Sequence, residues 1–587
     1  MESEQNNSEE LYVISDEVVS LEEEKKSAWN WQERRHPDWT ENYLLYRDKV
    51  FINRLTQRQS VNIPLMKTSI KTALKEVDDP PLLYFQNLSN DQEKEIFYNE
   101  YFNYCAEKNK LTIKDIVDKK QVFLYGRSFK KLNIVDGTFF FEIIDPHDIL
   151  VQRNVDPTDI NSARYICHQH IFVPISVLCN NEYYDQDEVA RLKSYMATSA
   201  GILKADSNLR TLNERNDRMR YMGVTDVDNP RFGETYVELN EHYVKKWDDN
   251  LGEEVFYITV TAEGRNKLMS KSLEEHIGKT SDNFWRYNVP ITSWGDDIEQ
   301  TDFWSDGMAD TIRTPNKILN SWLSQLVENR TLRNFGMNFY DATIEGFTPQ
   351  TTDPVPGGWV PLPGKPSDVY ARVDIPELSE SIDEMNFVMQ IAEKATAATS
   401  IQQGVSEQRK ITLGEVQILM ANAKERIKSV SVFYIEDWKE FGRKYIKMLE
   451  AAHELLDGVT LHKKGLHNEK MYPYDVNPDK WIDKVGYTCK VLSRSEKEEE
   501  DINMLQKLNG VRSSMPDNQP LMRIYQKKML EFIKLTPEEV KEVLDFEMQK
   551  ARNPIDMMNG NMPVNGMMNR FPAPQGMMQQ PRQLPIS

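Results

Sequence analysis

One segment late in the chain strongly limits its possible folds: residues 413–457 carry the apolar pattern of a single very long helix. Thr412 and Glu415 have the spacing of a capping box at its start. Its apolar positions, mostly three or four residues apart, are Leu413, Val416, Met420, Ala423, Ile427, Val430, Tyr434, Trp438, Phe441, Tyr445 and Met448. The pattern predicts about forty helical residues, roughly 60 Å in length. Helices of that length are unusual in compact enzymes and are typical of bundles, solenoids and ring assemblies.

The segments before the long helix predict two shorter helices with an irregular insert between them. Residues 302–335 have an apolar helical stripe, and Pro315 within it either begins the main helix or kinks it. Residues 336–376 are dense in proline and glycine, which predicts turns and short strands. The helical pattern returns at 377–399, and a polar stretch at 400–412 separates it from the long helix.

The first half of the chain, residues 29–301, predicts a mixed α+β region. Helices are expected at 39–75 and 93–119, and strands or hairpins at 121–152, 163–174, 236–247 and 255–263. Towards the other end, residues 458–550 predict a strand at 486–493 followed by further helices. The fold class is therefore α+β.

The two ends of the chain have compositions that do not favour a packed core. Residues 1–28 are polar and acidic, and we expect them to be mobile. Residues 551–587 are rich in methionine, proline and glutamine without apolar periodicity, and we expect them to be disordered. The start of the chain lacks an apolar segment of the kind found in signal peptides.

Charge and composition exclude several classes of protein. The chain has 72 basic and 92 acidic residues and a net charge of -20, which disfavours tight gripping of nucleic acid over the whole surface. We expect no membrane-spanning helix, because 18 consecutive apolar residues do not occur. Four scattered cysteines argue against a disulfide framework or a four-cysteine zinc site.

Candidate chemical motifs each have a simpler structural explanation. Gly278, Lys279 and Thr280 resemble the end of a phosphate-binding loop, but Leu273 occupies the position where that loop needs a glycine. This segment is therefore expected to be an ordinary surface loop. The common signatures of hydrolases, zinc proteases and dinucleotide-binding enzymes are also missing, so we expect neither an enzyme nor a cofactor.

Two clusters contain metal-binding residue types without metal-binding spacing. Cys167 is followed by His168 and His170, and the two histidines would share one face of a regular strand. Residues 248–254 contain several carboxylates but lack calcium-loop spacing, and they fall where a hairpin must turn. We expect a structural strand and a solvated turn, and no metal.

The order of these elements resembles the portal protein of tailed bacteriophages, especially the longer portals of short-tailed phages. The similarity covers roughly residues 30–550. It is supported by local phrases at 58–85, 125–166, 307–330 and 491–510. The insert at 336–376 is longer than a minimal portal clip, and the tail after residue 550 matches no portal pattern.

The resemblance implies a portal fold. Its parts would be a wing at 29–301, a first stem helix at 302–335, a clip at 336–376, a second stem helix at 377–399, a tunnel loop at 400–412, a long wing helix at 413–457, and a wing strand with crown helices at 458–550. Portals form a ring, generally a dodecamer, at one vertex of the capsid, and double-stranded DNA is packaged and ejected through it.

The resemblance also implies partners and a location. The partners would be other copies of the chain, the terminase large subunit, head–tail adaptor proteins, and the major capsid and scaffold proteins, with no membrane. The protein would assemble in the host cytoplasm and reside in the virion. The energy for packaging would come from the terminase, which agrees with the missing phosphate-binding loop.

Two sets of functional residues follow from the family layout. The DNA-channel residues of the tunnel loop would be Gln402, Gln403, Arg409 and Lys410, and the partner-binding residues of the clip would be Phe339, Tyr340 and Trp359. The alternatives are a solvated loop between helices and a clip that contacts only other copies. For the whole chain, the alternatives are another virion connector or a cellular enzyme with an unrecognised site.

Overall fold

The computed structural model describes most of the first half of the chain and separate segments of the second half. The described residues are 14–48, 61–77, 82–88, 92–135, 138–208, 235–334, 338–340, 365, 370–372, 381–396, 413–452, 460–464, 471–475, 487–492, 503 and 506–507. The chain divides into two compact units, residues 1–462 with 473–497 and residues 463–472 with 498–587. Nearly all described residues belong to the first unit.

The helices and strands alternate in the first half of the chain, and helices dominate after residue 308. The helices are α1 Asp16–Gln32, α2 His36–Tyr46, α3 Leu65–Glu76, α4 Gln92–Lys108, α5 Leu111–Tyr125, α6 Ile175–Cys179, α7 Gln186–Met196, α8 Leu273–Ile277, α9 Met308–Asn334, α10 Ser381–Thr396 and α11 Leu413–Ala451. The strands are β1 Leu82–Asn87, β2 Arg127–Val135, β3 Thr138–Ile144, β4 Ile149–Val151, β5 Tyr165–Pro174, β6 Tyr236–Asp248, β7 Glu253–Ala262, β8 Asn266–Ser272, β9 Ile291–Gly295, β10 Asp297–Glu299, β11 Asp302–Asp306, β12 Asn338–Tyr340, β13 Tyr370–Arg372, β14 Thr460–Lys464, β15 Met471–Asp475 and β16 Tyr487–Leu492.

Antiparallel sheets form the frame of the first unit. The largest has the order β4-β5-β6-β7-β8, and a second has the order β3-β2-β9. Strand β1 pairs with β16, so that Phe85 lies opposite Cys489 and an early segment is joined to a late one. Because helices pack around antiparallel sheets, the predicted α+β class is confirmed.

The hairpins predicted from alternating residues are present. Strands β2 and β3 pair on either side of residues 136–137, and β6 pairs with β7 from Leu239 to Asp248. The strand expected at 163–174 is β5, and the strand expected at 486–493 is β16. These predictions are confirmed. They succeed because each depends on local periodicity and turn chemistry, which a short stretch of sequence contains.

The expectation that residues 1–28 are mobile is wrong for the part from Asp16 onward. Helix α1 begins there, and Val18, Leu21 and Ala28 are buried. Its acidic Glu17 pairs with Lys246 at 2.6 Å and Lys267 at 2.8 Å. Two lysines on strands distant in sequence thus neutralise the charge of Glu17, although the acidic composition of this segment suggested a solvated tail.

The strand prediction at 121–125 is also wrong, because helix α5 continues through Tyr125. Gly126 then ends the helix in the left-handed conformation with φ of 85°, and its N–H donates to the Val122 carbonyl. The β-branched and aromatic side chains here were interpreted as a strand signal, whereas the glycine was the more informative residue.

The helices after residue 300 largely match the prediction, with shorter boundaries. Residues 302–306 form strand β11 rather than helix, and α9 begins at Met308 with Pro315 inside it. Helix α10 covers the middle of the predicted 377–399 segment. Helix α11 has 39 residues, which confirms the very long helix. Within the described residues, none of the helices is long and apolar enough to cross a membrane.

Candidate functional site

Helices α9 and α10 pack against each other, and two short strands in the connection between them pair with each other. Strand β12 follows α9 and pairs with β13, which places Phe339 opposite Ala371 and Tyr340 opposite Tyr370. Two of the predicted clip residues therefore lie in one strand between the two helices. The structure describes only their backbone, and Trp359 lies outside the described residues.

The first half of α9 is fixed to α2 by ion pairs. Arg313 contacts Asp38 at 3.0 Å and Asp310 at 3.1 Å, and Lys317 contacts Glu41 at 2.7 Å. Because several charges share one small area, the network positions α9 more firmly than a single exposed pair would.

The start of α9 is pressed against the end of α5. A Cβ atom at Gly126 would lie 1.7 Å from the Ser305 carbonyl oxygen, and one at Gly307 would lie 2.8 Å from the Phe123 carbonyl oxygen. Larger residues cannot occupy either position without moving backbone. Glycine here sets the direction in which α9 leaves the α/β part.

The middle of α9 binds the chain that leads into α3. Asn320 Oδ1 accepts a hydrogen bond from the Ile63 N–H at 2.8 Å, and Ser324 Oγ accepts one from the Val61 N–H at 3.0 Å. Pro315 breaks the regular hydrogen-bond pattern of the helix one turn earlier, since it has no N–H. Helix α9 can therefore bend at Pro315, and its contacts with α2 before this point and with residues 61–63 after it hold the helix in place.

The apolar stripe predicted for the long helix is buried over the second half of α11. Tyr434, Trp438, Phe441 and Tyr445 are each at most 1% exposed. The Tyr445 ring lies 4.7 Å from the Phe139 ring, measured between centroids. These rings seat α11 on strand β3, so the second half of the long helix belongs to the core of the α/β part.

A buried charge cluster, consisting of Lys130, Asp118 and Asp437, ties α11 to β2 and α5. Lys130 Nζ lies 2.7 Å from Asp118 and also contacts Asp437. Burial acts to lower the pKa of Lys130, but the two carboxylates outweigh it and the pKa is raised. Burial raises the pKa of Asp437. Removing Lys130 would leave two buried carboxylates without their cation, which is strongly unfavourable.

A second buried contact lies one turn away on the same helices. The Tyr434 hydroxyl donates to Asp115, and Lys119 Nζ lies 2.7 Å from the same carboxylate. Burial raises the pKa of Asp115. Helix α5 thus turns Asp115, Asp118 and Lys119 inward towards α11.

A cleft of about 870 Å³ runs along one side of α11. Its charged residues pair within the wall: Lys447 contacts Asp282 at 3.1 Å and Glu450 at 2.9 Å, and Arg443 lies 3.5 Å from Glu440. Because Arg443 and Lys447 already pair with carboxylates of the wall, neither is a ready partner for an anionic ligand.

All four predicted channel residues, Gln402, Gln403, Arg409 and Lys410, lie outside the described residues, between the end of α10 and the start of α11. For residues 413–429 of α11 the structure describes the helix but not the side chains.

The possible phosphate loop and calcium loop are both structural elements. Gly278 ends helix α8, whereas in a phosphate-binding loop the glycine-rich turn precedes the helix. Asp248 accepts hydrogen bonds from the Asn250 N–H at 2.8 Å and the Tyr257 hydroxyl at 3.1 Å. Its carboxylate holds the turn between β6 and β7, as predicted.

The two histidines near Cys167 do not form a site together. A bulge between His168 and Ile171 interrupts the alternation of strand β5, and His170 adopts a φ of 58°. His168 lies near Glu241 at 3.7 Å, whereas His170 contacts Asp148 at 3.1 Å. Within the described residues, acidic, histidine and cysteine side chains form no group that could hold a metal ion.

Sequence reasoning missed the role of α5. Asp115, Asp118 and Lys119 were not singled out, although their spacing of three and four residues places them on one helix face. The sequence pattern does not predict their burial, because the same arrangement places the apolar residues Ile113, Ile116 and Val117 on the exposed face.

One comparison with known proteins identifies a family. A family model described as phage SU10 portal protein matches residues 42–536, well over half of the chain. No curated protein matches the chain.

Proposed function

The chain belongs to the family of the phage SU10 portal protein, a portal protein of tailed bacteriophages, and from this membership we propose that it is the subunit of the ring through which phage DNA enters and leaves the capsid. The family is one of structural virion proteins rather than enzymes. In this role the protein assembles in the host cytoplasm, becomes part of the virion and needs no cofactor.

The observation that supports the proposal most is the order of elements inside the matched region. An α/β part leads into helix α9, a strand pair, helix α10 and the 39-residue helix α11. This order corresponds to wing, first stem helix, clip, second stem helix and long wing helix in the portal layout. We assign residues 302–306 to the proposed wing rather than to the proposed stem, an assignment supported by their forming strand β11.

The proposed ring is a dodecamer with an acidic body. Each subunit has a net charge of -20, so the assembled ring repels the phosphates of double-stranded DNA over most of its surface. Such a ring lets DNA slide, and a few basic residues in the channel, Arg409 and Lys410 of the tunnel loop with Gln402 and Gln403 beside them, are proposed to contact it.

The partners proposed for the narrow end bind residues 336–376. Phe339, Tyr340 and Trp359 supply aromatic anchors on a proline-stiffened segment, a composition that suits docking of another protein. The terminase large subunit would dock there during packaging, and head–tail adaptors would follow. Major capsid and scaffold proteins would contact the wing. Crosslinks from 336–376 that reach only the wing of the same subunit would contradict this assignment.

Electron microscopy of the purified full-length protein tests the main proposal. Negatively stained particles are expected to be closed rings with a central hole, and the mass in solution is expected to be several hundred kilodaltons. A monodisperse monomer at micromolar concentration in physiological salt would overturn the proposal.

A further inference from the structure

Helix α5 exposes a narrow apolar stripe with lysines at both ends. Ile113, Ile116 and Val117 are 60%, 52% and 41% exposed. They are spaced as neighbours on one helix face. The exposed Lys110 lies three residues before the stripe, and the half-buried Lys120, whose ammonium lies 4.7 Å from the centre of the Tyr46 ring, lies three residues after it. Because the acidic residues of α5 are turned inward, the outward face is apolar and basic.

Helix α10 exposes a second apolar pair with carboxylates beside it. Met385, Val388 and Met389 pack against the core, whereas Phe387 and Ile391 are 63% and 44% exposed. Asp383 and Glu384, both exposed, precede Phe387 by four and three residues and therefore flank it on the same side of the helix. The outward face of α10 is thus apolar and acidic.

The two stripes differ in charge and lie on different helices, so each fits the other better than it fits itself. From this complementarity we propose that the α5 stripe of one subunit binds the α10 stripe of the next subunit in the ring. A contact between two different surfaces is heterologous, and repeating it generates a ring when the rotation closes. The inference rests on the proposed function, because it assigns surfaces to that ring.

The composition of the stripes suits the centre of such a contact. Exposed apolar groups grouped in one place mark association surfaces, and a charged rim around an apolar centre favours the correct partner. Each stripe covers only about two helical turns. A stable interface buries roughly 800 Å² on each partner, so further residues must surround the stripes in the assembled ring.

Complementation between two variants tests the pairing. Ile116→Glu disables the α5 stripe and leaves the α10 stripe intact, whereas Phe387→Glu does the reverse. Each variant alone is expected to be a folded monomer. An equimolar mixture is expected to form a dimer of twice 68.6 kDa and nothing larger, because only one working contact exists between the two variants. Analytical ultracentrifugation measures all three masses.

The controls separate loss of contact from loss of fold. Both residues are exposed, so the circular dichroism spectrum of each variant should match that of the parent, and the two monomeric variants should melt at the same temperature as each other. Val177→Glu changes an apolar residue that is 50% exposed outside both stripes, and it should leave the ring intact. If either single variant still forms rings, or if the mixture stays monomeric, the pairing is wrong. If the parent protein itself forms no ring, the proposed function fails instead.

Discussion

The side-chain amide of Asn99 makes both backbone hydrogen bonds that a neighbouring strand would make to Phe85. Its Nδ2 donates to the Phe85 carbonyl at 3.0 Å, and its Oδ1 accepts from the Phe85 N–H at 2.9 Å. Asn109 makes the same kind of contact with strand β3. Its Nδ2 donates to the Phe139 carbonyl at 2.8 Å, and its Oδ1 accepts from the Phe141 N–H at 3.4 Å. At these points the sheets cannot add another strand.

Replacement of Asn99 by leucine should destabilise the α/β part. Phe85 is fully buried, so its N–H and carbonyl would lose their partners where water cannot easily replace them. We expect the free energy of unfolding to fall by about 2 kcal/mol, measured by urea unfolding followed through tryptophan fluorescence. Asn103→Leu, one turn later on the same helix and exposed, is the matched control and should change stability little. Equal losses in both variants would contradict this account.

Gly442 allows strand β16 to lie directly on helix α11. A Cβ atom at this position would lie 2.3 Å from Cys489 Sγ. We therefore expect Gly442→Ala to lower the free energy of unfolding by about 1–3 kcal/mol through overpacking, despite the higher helix propensity of alanine.

A second substitution checks the cause of that loss. Cys489→Ala removes the sulfur that the new methyl group meets, so the double variant should recover part of the stability lost in Gly442→Ala. The coupling is measured by a double-mutant cycle in urea. Additive effects of the two substitutions would show that the close contact with Cys489 is not responsible.

Stability near neutral pH should depend on His242. Burial lowers the pKa of His242 to about 3, whereas the pKa of an unfolded histidine is about 6.5. As pH falls below that value, the unfolded chain takes up a proton that the folded protein does not, so stability decreases. Between pH 7.5 and 5.5 this amounts to about 1.4 kcal/mol for one such histidine.

The comparison with His242→Gln isolates this contribution. The variant cannot take up the proton, so its stability should fall less than that of the parent over the same range, measured as the urea midpoint at each pH. Carboxylates titrate alike in both proteins, and their effects cancel in the difference. Parallel curves for the two proteins would contradict the assignment.

The sequence predicts the parts of the fold that depend on local patterns. The spacing from Tyr434 to Tyr445 is a property of one segment, and the β6–β7 hairpin is likewise encoded by neighbouring residues. The buried charge cluster was beyond prediction, because Lys130 and Asp437 are distant in the chain and charged residues are ordinarily solvated. The prediction of a mobile segment around Glu17 was wrong for the same reason, because its partners, Lys246 and Lys267, lie on strands far along the chain.

The family layout supplied the proposed clip and channel residues, and their side chains remain a matter of prediction. Phe339 and Tyr340 occupy a strand between α9 and α10. By contrast, the exposed stripe on α5 follows from physical reasoning about the structure. Only when Asp115 and Asp118 are seen to point inward does the outward position of Ile116 become clear.

The tunnel loop should contribute contacts to DNA rather than to assembly. Between Ile401 and Ile411 the only apolar side chain is Val405, and Arg409 with Lys410 would form a belt of positive charge around the channel of an acidic ring. Such a belt contacts phosphates without sequence preference.

We expect rings with Arg409 and Lys410 both replaced by glutamine to assemble normally, while packaging or retention of DNA decreases. Both are measured by nuclease protection of packaged DNA. Glutamine at Lys463 and Lys464, outside the proposed channel, is the control. Full-length DNA retained at the parental level would show that the loop is only a solvated connection.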